Sequence, residues 1–219
     1  MKPATGTFIN SHKILVVPIV LGLMSYYRNW SAEAFVYLAL HGTYSVLWLL
    51  KQAWYPDRRF TEKVPLWIGV LFVFLPLAGY YLAPYLLISR HVAWPPYLFA
   101  IVLCLYITGV FFHYVGDAQK FYTLRVRKGL IEDGLFARTR NPNYLGEILI
   151  YLSYAIMSLH WVPFVVLGAW VFGFFARNML KKDESLARHP GFSDYRRRSG
   201  LLFPKVLGRA IRTESSDRA

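Results

Sequence analysis

The chain has 219 residues, of which 56% are hydrophobic and only 17% are charged. This composition is too apolar for an ordinary water-soluble domain and predicts an all-α polytopic membrane protein. The formal net charge of +13 would suggest nucleic acid as a partner of a soluble protein. Membrane topology also concentrates Lys and Arg on the cytoplasmic side, so we expect a lipid bilayer as partner and no nucleic acid.

Six apolar segments predict about six transmembrane helices. The first and the last two are short for a bilayer, which requires about 20 apolar residues per crossing. The tight turn "SLHWVP" joins the last two segments and predicts a C-terminal antiparallel helical hairpin. In chain order the segments are Ile14–Tyr27, Ala32–Leu50, Val64–Ile88, Tyr97–Ala118, Tyr144–Leu159 and Trp161–Phe175.

The connections between these segments alternate in charge. Two of them, "KQAWYPDRRFTEK" and "QKFYTLRVRKGLIEDGLFARTR", are basic, as is the tail from Arg177 onward. The other connections carry little charge, namely Arg28 in one, Arg90 in the next and only His160 in the last. With six crossings, this pattern predicts that both termini are cytoplasmic. By character the chain divides into N-terminal helices at 1–96, a core at 97–204 that holds most of the placed polar groups, and a mobile tail at 205–219.

Four ionisable residues inside the apolar segments are the first candidates for function, because such groups are costly in a membrane. His113 and Asp117 are four residues apart and share one helical face, where they could also form a simple interfacial pair. Glu147 belongs to a polar stripe with Asn143, Tyr151 and Tyr154. This stripe predicts a helix edge that faces a cavity, with hydrogen bonding to a neighbouring helix as the alternative.

The fourth ionisable residue, His41, shares a helical face with Tyr44 and Trp48 and could equally be a packed core residue. No His or Glu cluster has metal-ligand spacing, so no metal is expected. The basic loops after the fourth and sixth segments lie on one membrane face and suit phosphate groups. We therefore predict a cytoplasmic cavity for a phosphorylated soluble cofactor, with an apolar substrate entering from the bilayer.

Three sequence elements resemble the C-terminal half of the steroid 5-alpha-reductase family. They are "GDAQKFYTLRVRKGLIEDGLF", "NPNYLGEILIYLSYA" and "FSDYRRRSGLLFP", within about residues 113–204. The broader superfamily also includes sterol reductases and isoprenylcysteine carboxyl methyltransferases. The resemblance implies an integral membrane enzyme that reduces a C=C bond of a steroid-like or other lipidic substrate with NADPH.

The resemblance also implies the site residues. Asn143 and Glu147 would hold the nicotinamide carboxamide, with Glu147 also catalytic, while Tyr44 and His41 are the candidates for the remaining catalytic groups. The other implied cofactor contacts are His113, Asp117, Arg127, Lys128, Arg140, Tyr144, Arg177, Tyr195 and Arg198, with the arginines on the phosphates.

Two alternatives remain open. Asn141 replaces the histidine of the methyltransferase pattern, but Asp183 and Glu184 in "KDESL" look like its acid pair. The first alternative is therefore an S-adenosylmethionine-dependent methyltransferase acting on a lipid or isoprenylcysteine-type substrate, in which proximity would do most of the work. The second is a non-catalytic membrane scaffold.

Overall fold

The computed structural model describes residues 2–205, apart from the side chain of Arg58. It confirms the all-α prediction: 77% of it is helical, with no strands among the described residues. The tail predicted at 205–219 lies, except for Lys205, outside the described residues. The α-helices are α1 Thr5–Tyr26, α2 Ala32–Trp54, α3 Leu66–Gly69, α4 Leu75–Ala78, α5 Leu82–Ser89, α6 Pro96–Val126, α7 Pro142–Met157, α8 Trp161–Trp170, α9 Ala176–Leu186 and α10 Phe192–Arg198.

Within residues 2–205, five helical stretches are long and apolar enough to cross a membrane, as expected of an integral multi-pass membrane protein. They are Thr5–Tyr26, Ala32–Trp54, Leu66–Ser89, Pro96–Val126 and Trp161–Leu186. The remaining predicted segment forms α7, whose 16 residues are fewer than the about 20 that a full crossing requires. The last stretch continues beyond the predicted end at Phe175, because the polar sequence "ARNMLKKDESL" prolongs the helix.

Two of the spans contain a π-helical turn. The third span joins α3, the π turn Val70–Phe74, α4, the 3-10 turn Gly79–Tyr81 and α5. The last span joins α8 and α9 through the π turn Val171–Phe175. Such turns widen the helix locally and are frequent at functional sites.

Helices α6 and α7 pack backbone against backbone. The Gly146 position leaves so little room that an added Cβ would lie 2.2 Å from the backbone nitrogen of His113. At Gly109, an added Cβ would lie 2.8 Å from the carbonyl oxygen of Gly146. Small residues allow this close approach between membrane helices. The contact fixes the position of His113 relative to the first turns of α7.

The loop before α7 is held by the segment that follows α10. The backbone nitrogen of Arg140 donates to the carbonyl of Gly200 at 2.9 Å, and the Gly200 nitrogen donates to the Arg138 carbonyl at 2.9 Å. The Thr139 hydroxyl adds a bond to the Leu202 carbonyl at 2.7 Å. We call these two segments, 138–141 and 199–202, the C-terminal clamp. The clamp sets where α7 begins and therefore where its polar edge lies.

Candidate functional site

A cavity of about 310 Å³ opens among five membrane-spanning helices and α7. It is large enough to hold part of a cofactor or a small ligand. One side is polar and another is built from aromatic and aliphatic side chains. Its lining comprises Thr5, Ile9, Lys13, Trp48, Lys51, Asp57, Arg59, Phe60, Glu62, Phe72, Val73, Leu77, Tyr80, His113, Asp117, Asn143, Tyr144, Glu147, Tyr151, Trp170, Phe174 and Phe175.

The polar edge of α7 lines this cavity. Asn143, Glu147 and Tyr151 are spaced four residues apart and all face it, together with Tyr144. Glu147 is half-buried, and no hydrogen bond joins its carboxylate to another residue in the part of the chain that the structure describes. The fourth residue of the stripe, Tyr154, is instead fully buried and donates to the Leu40 carbonyl at 3.3 Å. Three of the four stripe residues therefore face the cavity.

A buried lysine of α1 meets this edge. Lys13 is 2% exposed, and its Nζ donates to the Tyr151 hydroxyl at 2.9 Å. The same ammonium lies 4.2 Å from the centre of the Tyr44 ring, within the range of a cation–π interaction. It is also close enough to Glu147 for their charges to interact. A lysine at this depth in a membrane protein indicates a functional role.

Helix α6 contributes an acid and a histidine to the same wall. Asp117 forms an ion pair with Lys51 of α2, which is 4% exposed. One turn earlier, Nδ1 of His113 lies 3.2 Å from the Asn143 backbone carbonyl. The other ring nitrogen of His113 is buried and has no hydrogen-bond partner among the described residues. His113 and Asp117 thus belong to the cavity rather than to a separate interfacial pair.

The mouth of the cavity carries a second ion pair, in the connection after α2. The Arg59 guanidinium lies 2.9 Å from the Asp57 carboxylate. Burial by itself would raise the pKa of Asp57 from 3.8, but hydrogen bonds from Arg59 outweigh it and lower the pKa to about 2. The pair is therefore charged at neutral pH, and Arg59 is 55% exposed. Its guanidinium is available to an anionic group that enters the mouth.

Two predicted catalytic residues lie behind the cavity wall. His41 is fully buried, with Nδ1 3.0 Å from the Tyr37 hydroxyl and its ring stacked on Tyr154. Tyr44 is fully buried beneath the Lys13 ammonium. Neither side chain lines the cavity. Both side chains face the core, and Tyr44 contacts Lys13 and Tyr151, which do line the cavity.

The predicted phosphate-binding residues lie outside the cavity as well. Arg127 is 52% exposed and pairs with Asp133 at 2.6 Å, and Arg198 pairs with Glu132. Lys128 and Arg177 are exposed at the surface. Arg127 thus pairs within its own connection, and Arg198 pairs with that connection from α10, so neither guanidinium faces the cavity.

Arg140, also predicted to contact a cofactor, belongs to the C-terminal clamp, and Tyr195, predicted likewise, lies in α10 just before the clamp. Two guanidinium nitrogens of Arg140 donate to Asp183 at 2.8 to 3.1 Å, and a third donates to the Ser199 carbonyl at 2.7 Å. The Tyr195 hydroxyl donates to the Phe136 carbonyl at 2.9 Å. All of these polar groups are therefore engaged within the protein. Their role in the structure is to hold the loop that precedes α7.

Among the described side chains, the sequence reasoning missed three cations that line the cavity, namely Lys13, Lys51 and Arg59. Lys13 and Lys51 directly adjoin predicted apolar segments, and Arg59 lies in the basic connection between two of them, where membrane topology alone also leads one to expect positive charge. A signal existed only for Lys13, which lies eight residues inside the first helix in the sequence "NSHKILVV". No group of three or more His, Cys, Asp or Glu within residues 2–205 is arranged to hold a metal ion.

Fold and site together define an integral multi-pass membrane protein with a cavity that has a polar wall and a larger apolar wall. A family model described as "Protein of unknown function (DUF1295)" matches residues 57–196. The chain belongs to this family, which is associated with steroid 5-alpha-reductase-like membrane proteins.

A curated relative comes from the fission yeast Schizosaccharomyces pombe and is described as "Uncharacterized protein C594.04c". It is 34% identical to the chain over 96 residues, which is 41% of the chain. The match spans only 28% of the length of the yeast protein.

Proposed function

We propose that the chain is a membrane enzyme that reduces a C=C bond of a steroid-like or other lipidic substrate with NADPH. The observation that carries this proposal is the arrangement of the cavity. An amide and a carboxylate, Asn143 and Glu147, line the same space as an apolar wall that reaches the lipid-facing surface. A cofactor from the aqueous side and a substrate from the bilayer can meet only in such a space.

The chemistry of the α7 edge fits a nicotinamide. A carboxamide offers N–H donors and one acceptor oxygen, whereas the Glu147 carboxylate only accepts and the Asn143 amide does both. Glu147 has no hydrogen-bond partner among the described residues, and His113 adds an unpartnered ring nitrogen to the same wall. When bound, NADPH supplies a hydride. With one proton, that hydride converts a C=C bond to CH–CH and leaves the oxidised cofactor.

Phosphate groups would meet the cations at the outer part of the cavity. Arg59 stands at the mouth with an exposed guanidinium, and Lys51 lies further in beside Asp117. An arginine fork suits a phosphate because it donates two parallel hydrogen bonds. Arg59 therefore replaces the arginines of the later loops as the residue expected to hold the phosphates.

A lipidic substrate would enter from the side. Phe72 and Phe174 both line the cavity, yet they are 67% and 50% exposed at the outer surface. The cavity thus opens towards the bilayer between the third and last spans, at the two π turns. Large exposed aromatic side chains at this level are favourable only in contact with lipid or an apolar ligand.

The orientation in the membrane is part of the proposal. The mouth is formed by the connection that carries Asp57, Arg59 and Glu62. This connection is one of the basic ones, so the positive-inside rule assigns it to the cytoplasm together with both termini. Cytoplasmic NADPH would then reach the mouth directly.

One observation favours a second candidate, an S-adenosylmethionine-dependent methyltransferase. Among the side chains that the structure describes, four carboxylates line the cavity against three cations, namely Asp57, Glu62, Asp117 and Glu147 against Lys13, Lys51 and Arg59. S-adenosylmethionine carries positive charge on sulfur and no phosphate, so this balance suits it. Methyl transfer to a lipid-borne nucleophile would rely mainly on proximity.

Thermal unfolding of the detergent-purified protein separates these candidates. A ligand at 100 times its dissociation constant stabilises the folded state by about 2.7 kcal/mol. We expect stabilisation by NADPH and none by S-adenosylmethionine. Stabilisation by S-adenosylmethionine alone would favour the methyltransferase over the reductase. Stabilisation by neither ligand would favour the non-catalytic scaffold.

A further inference from the structure

Within the proposed reductase function, on which this inference rests, we propose that Lys13 and Tyr151 bind the carbonyl oxygen of the substrate. The ammonium of Lys13 and the hydroxyl of Tyr151 would both donate to that oxygen. Tyr151 would thus be a catalytic residue at the inner end of the cavity, together with Lys13. Tyr44, predicted to be catalytic, would instead be a positioning residue that holds the ammonium from behind.

The hydrogen bond between the two residues has the right direction for this role. Lys13 donates to the phenol oxygen at 2.9 Å, so the Tyr151 hydroxyl keeps its own proton to donate. An ammonium has three N–H donors, and this bond uses one of them. Both side chains line the cavity although each is 2% exposed. The remaining donors are therefore held in a place that a ligand can reach and bulk water hardly can.

Lys13 differs from the other cations of the lining in its charge partners. Lys51 is paired with Asp117, and Arg59 is paired with Asp57. Lys13 has no carboxylate in ion-pair contact within residues 2–205, although it interacts with Glu147 over a longer distance. A buried ammonium without a directly bonded anion stabilises negative charge that develops beside it, because the surroundings screen poorly.

The spacing along α7 fits a substrate placed next to a nicotinamide. Glu147 and Tyr151 are one helical turn apart, which is about 6 Å along the axis. A carboxamide on Asn143 and Glu147 and an oxygen on Tyr151 would thus leave the conjugated carbons of an enone beside the nicotinamide ring. The apolar remainder of the substrate would then extend between Phe72 and Phe174 towards the bilayer.

The reaction balances with these roles. The hydride forms one C–H bond at the carbon remote from the carbonyl, and the π electrons move to the oxygen held by Lys13 and Tyr151. A proton from water then forms the second C–H bond at the carbon next to the carbonyl. Lys13 and Tyr151 keep their own protons throughout and act by stabilising the oxygen while it is negative.

Ligand-dependent thermal unfolding with dodec-3-en-2-one tests the inference, with dodecane as the apolar control. We expect the enone to stabilise the wild-type protein more than dodecane does. In Lys13→Met and in Tyr151→Phe, about tenfold more enone or above should be needed for the same shift, since each loses a hydrogen-bond donor to the oxygen. Tyr106→Phe is the matched control, because it removes a tyrosine hydroxyl that donates to the Leu40 carbonyl outside the cavity.

Equal enone affinity in the wild type and Tyr151→Phe would overturn the inference, as would an enone effect no larger than that of dodecane. Tyr151→Phe decides the matter even if Lys13→Met does not fold, because the ring stacked on Tyr80 at 3.7 Å is retained. NADPH is measured in parallel. If NADPH stabilises the protein but the enone acts equally on the wild type and Tyr151→Phe, only this inference is rejected. If the enone acts more strongly on the wild type but NADPH does not stabilise it, the proposed function is rejected.

Discussion

Gly146 of α7 lies directly against the backbone of His113 of α6, so closely that a Cβ at Gly146 would be 2.2 Å from the His113 nitrogen and 2.5 Å from the Gly109 carbonyl oxygen. The obstacle on both counts is backbone, which cannot rotate away. The position of the Asn143 and Glu147 edge relative to His113 and Asp117 therefore depends on the absence of a side chain at Gly146.

We expect Gly146→Ala to separate α6 from α7. The free energy of unfolding should fall by about 1–3 kcal/mol or more, which is the cost typical of overpacking. Unfolding in detergent measures the loss. Gly168→Ala is the matched control, since no atom of a neighbouring helix lies within 4 Å of the Cβ it would add. An unchanged stability of Gly146→Ala would mean that the two helices do not touch as described.

The sequence alone predicts the spans and the polar edge of α7, because both depend on local patterns. Apolar runs mark the helices, and a four-residue spacing places Asn143 and Glu147 on one side. The cavity that this edge faces depends on chain-distant partners instead. Lys13 meets Tyr151 across 138 residues, and Lys51 meets Asp117 across 66.

Dependence on the packing of chain-distant segments also explains why the sequence alone assigned the loop arginines to a cofactor site. Positive-inside topology, phosphate binding and clamp formation all place arginine in the same loops. Only the fold shows that Arg140 pairs with Asp183, 43 residues away in the sequence, and that Arg127 pairs with Asp133. A pattern of charges fixes the membrane face of a residue, but its side-chain partner depends on how the loops pack.

Glu147→Gln removes a carboxylate acceptor while keeping the size of the side chain. Within the proposed function, we expect turnover to be abolished and stabilisation by NADPH to be weakened, because a carboxamide N–H loses a charged acceptor. Expression should change little, since Glu147 has no hydrogen-bond partner within residues 2–205. Glu184→Gln, at an exposed position of α9, is the control. Normal turnover in Glu147→Gln would remove this residue from the mechanism.

Arg59 and Arg127 make a direct comparison of two candidate phosphate ligands. We expect Arg59→Ala to weaken NADPH binding more than NADH binding, because it lines the cavity. Arg127→Ala should leave both unchanged, since this residue pairs with Asp133 at the surface. Ligand-dependent thermal unfolding measures both variants. The reverse result would place the phosphates on the loop after α6 and outside the described cavity.

The Asp57–Arg59 pair predicts a pH dependence at the mouth. The pKa of Asp57 is lowered from 3.8 to about 2 in the folded protein. The pair therefore stabilises the fold fully above about pH 4 and loses this contribution as the pH falls towards about 2. We expect Asp57→Asn to be less stable than the wild type at pH 6, by a small amount because Arg59 is exposed. The difference in melting temperature should shrink between pH 4 and pH 2, and a difference independent of pH would contradict this assignment.

The C-terminal clamp predicts a purely structural role for Arg140. Its guanidinium is 6% exposed and bonded to Asp183 and to the Ser199 carbonyl, so Arg140→Ala leaves a buried carboxylate without its partner. Loss of one member of a buried pair typically costs about 3–5 kcal/mol. We expect Arg140→Ala to unfold at a lower temperature and to expose α9 and α10 to limited proteolysis.

The double variant Arg140→Met/Asp183→Leu should recover most of that stability, because it removes both charges at once. NADPH should still stabilise the double variant, since neither residue lines the cavity. A double variant that regains stability but is no longer stabilised by NADPH would mean that Arg140 contacts the cofactor.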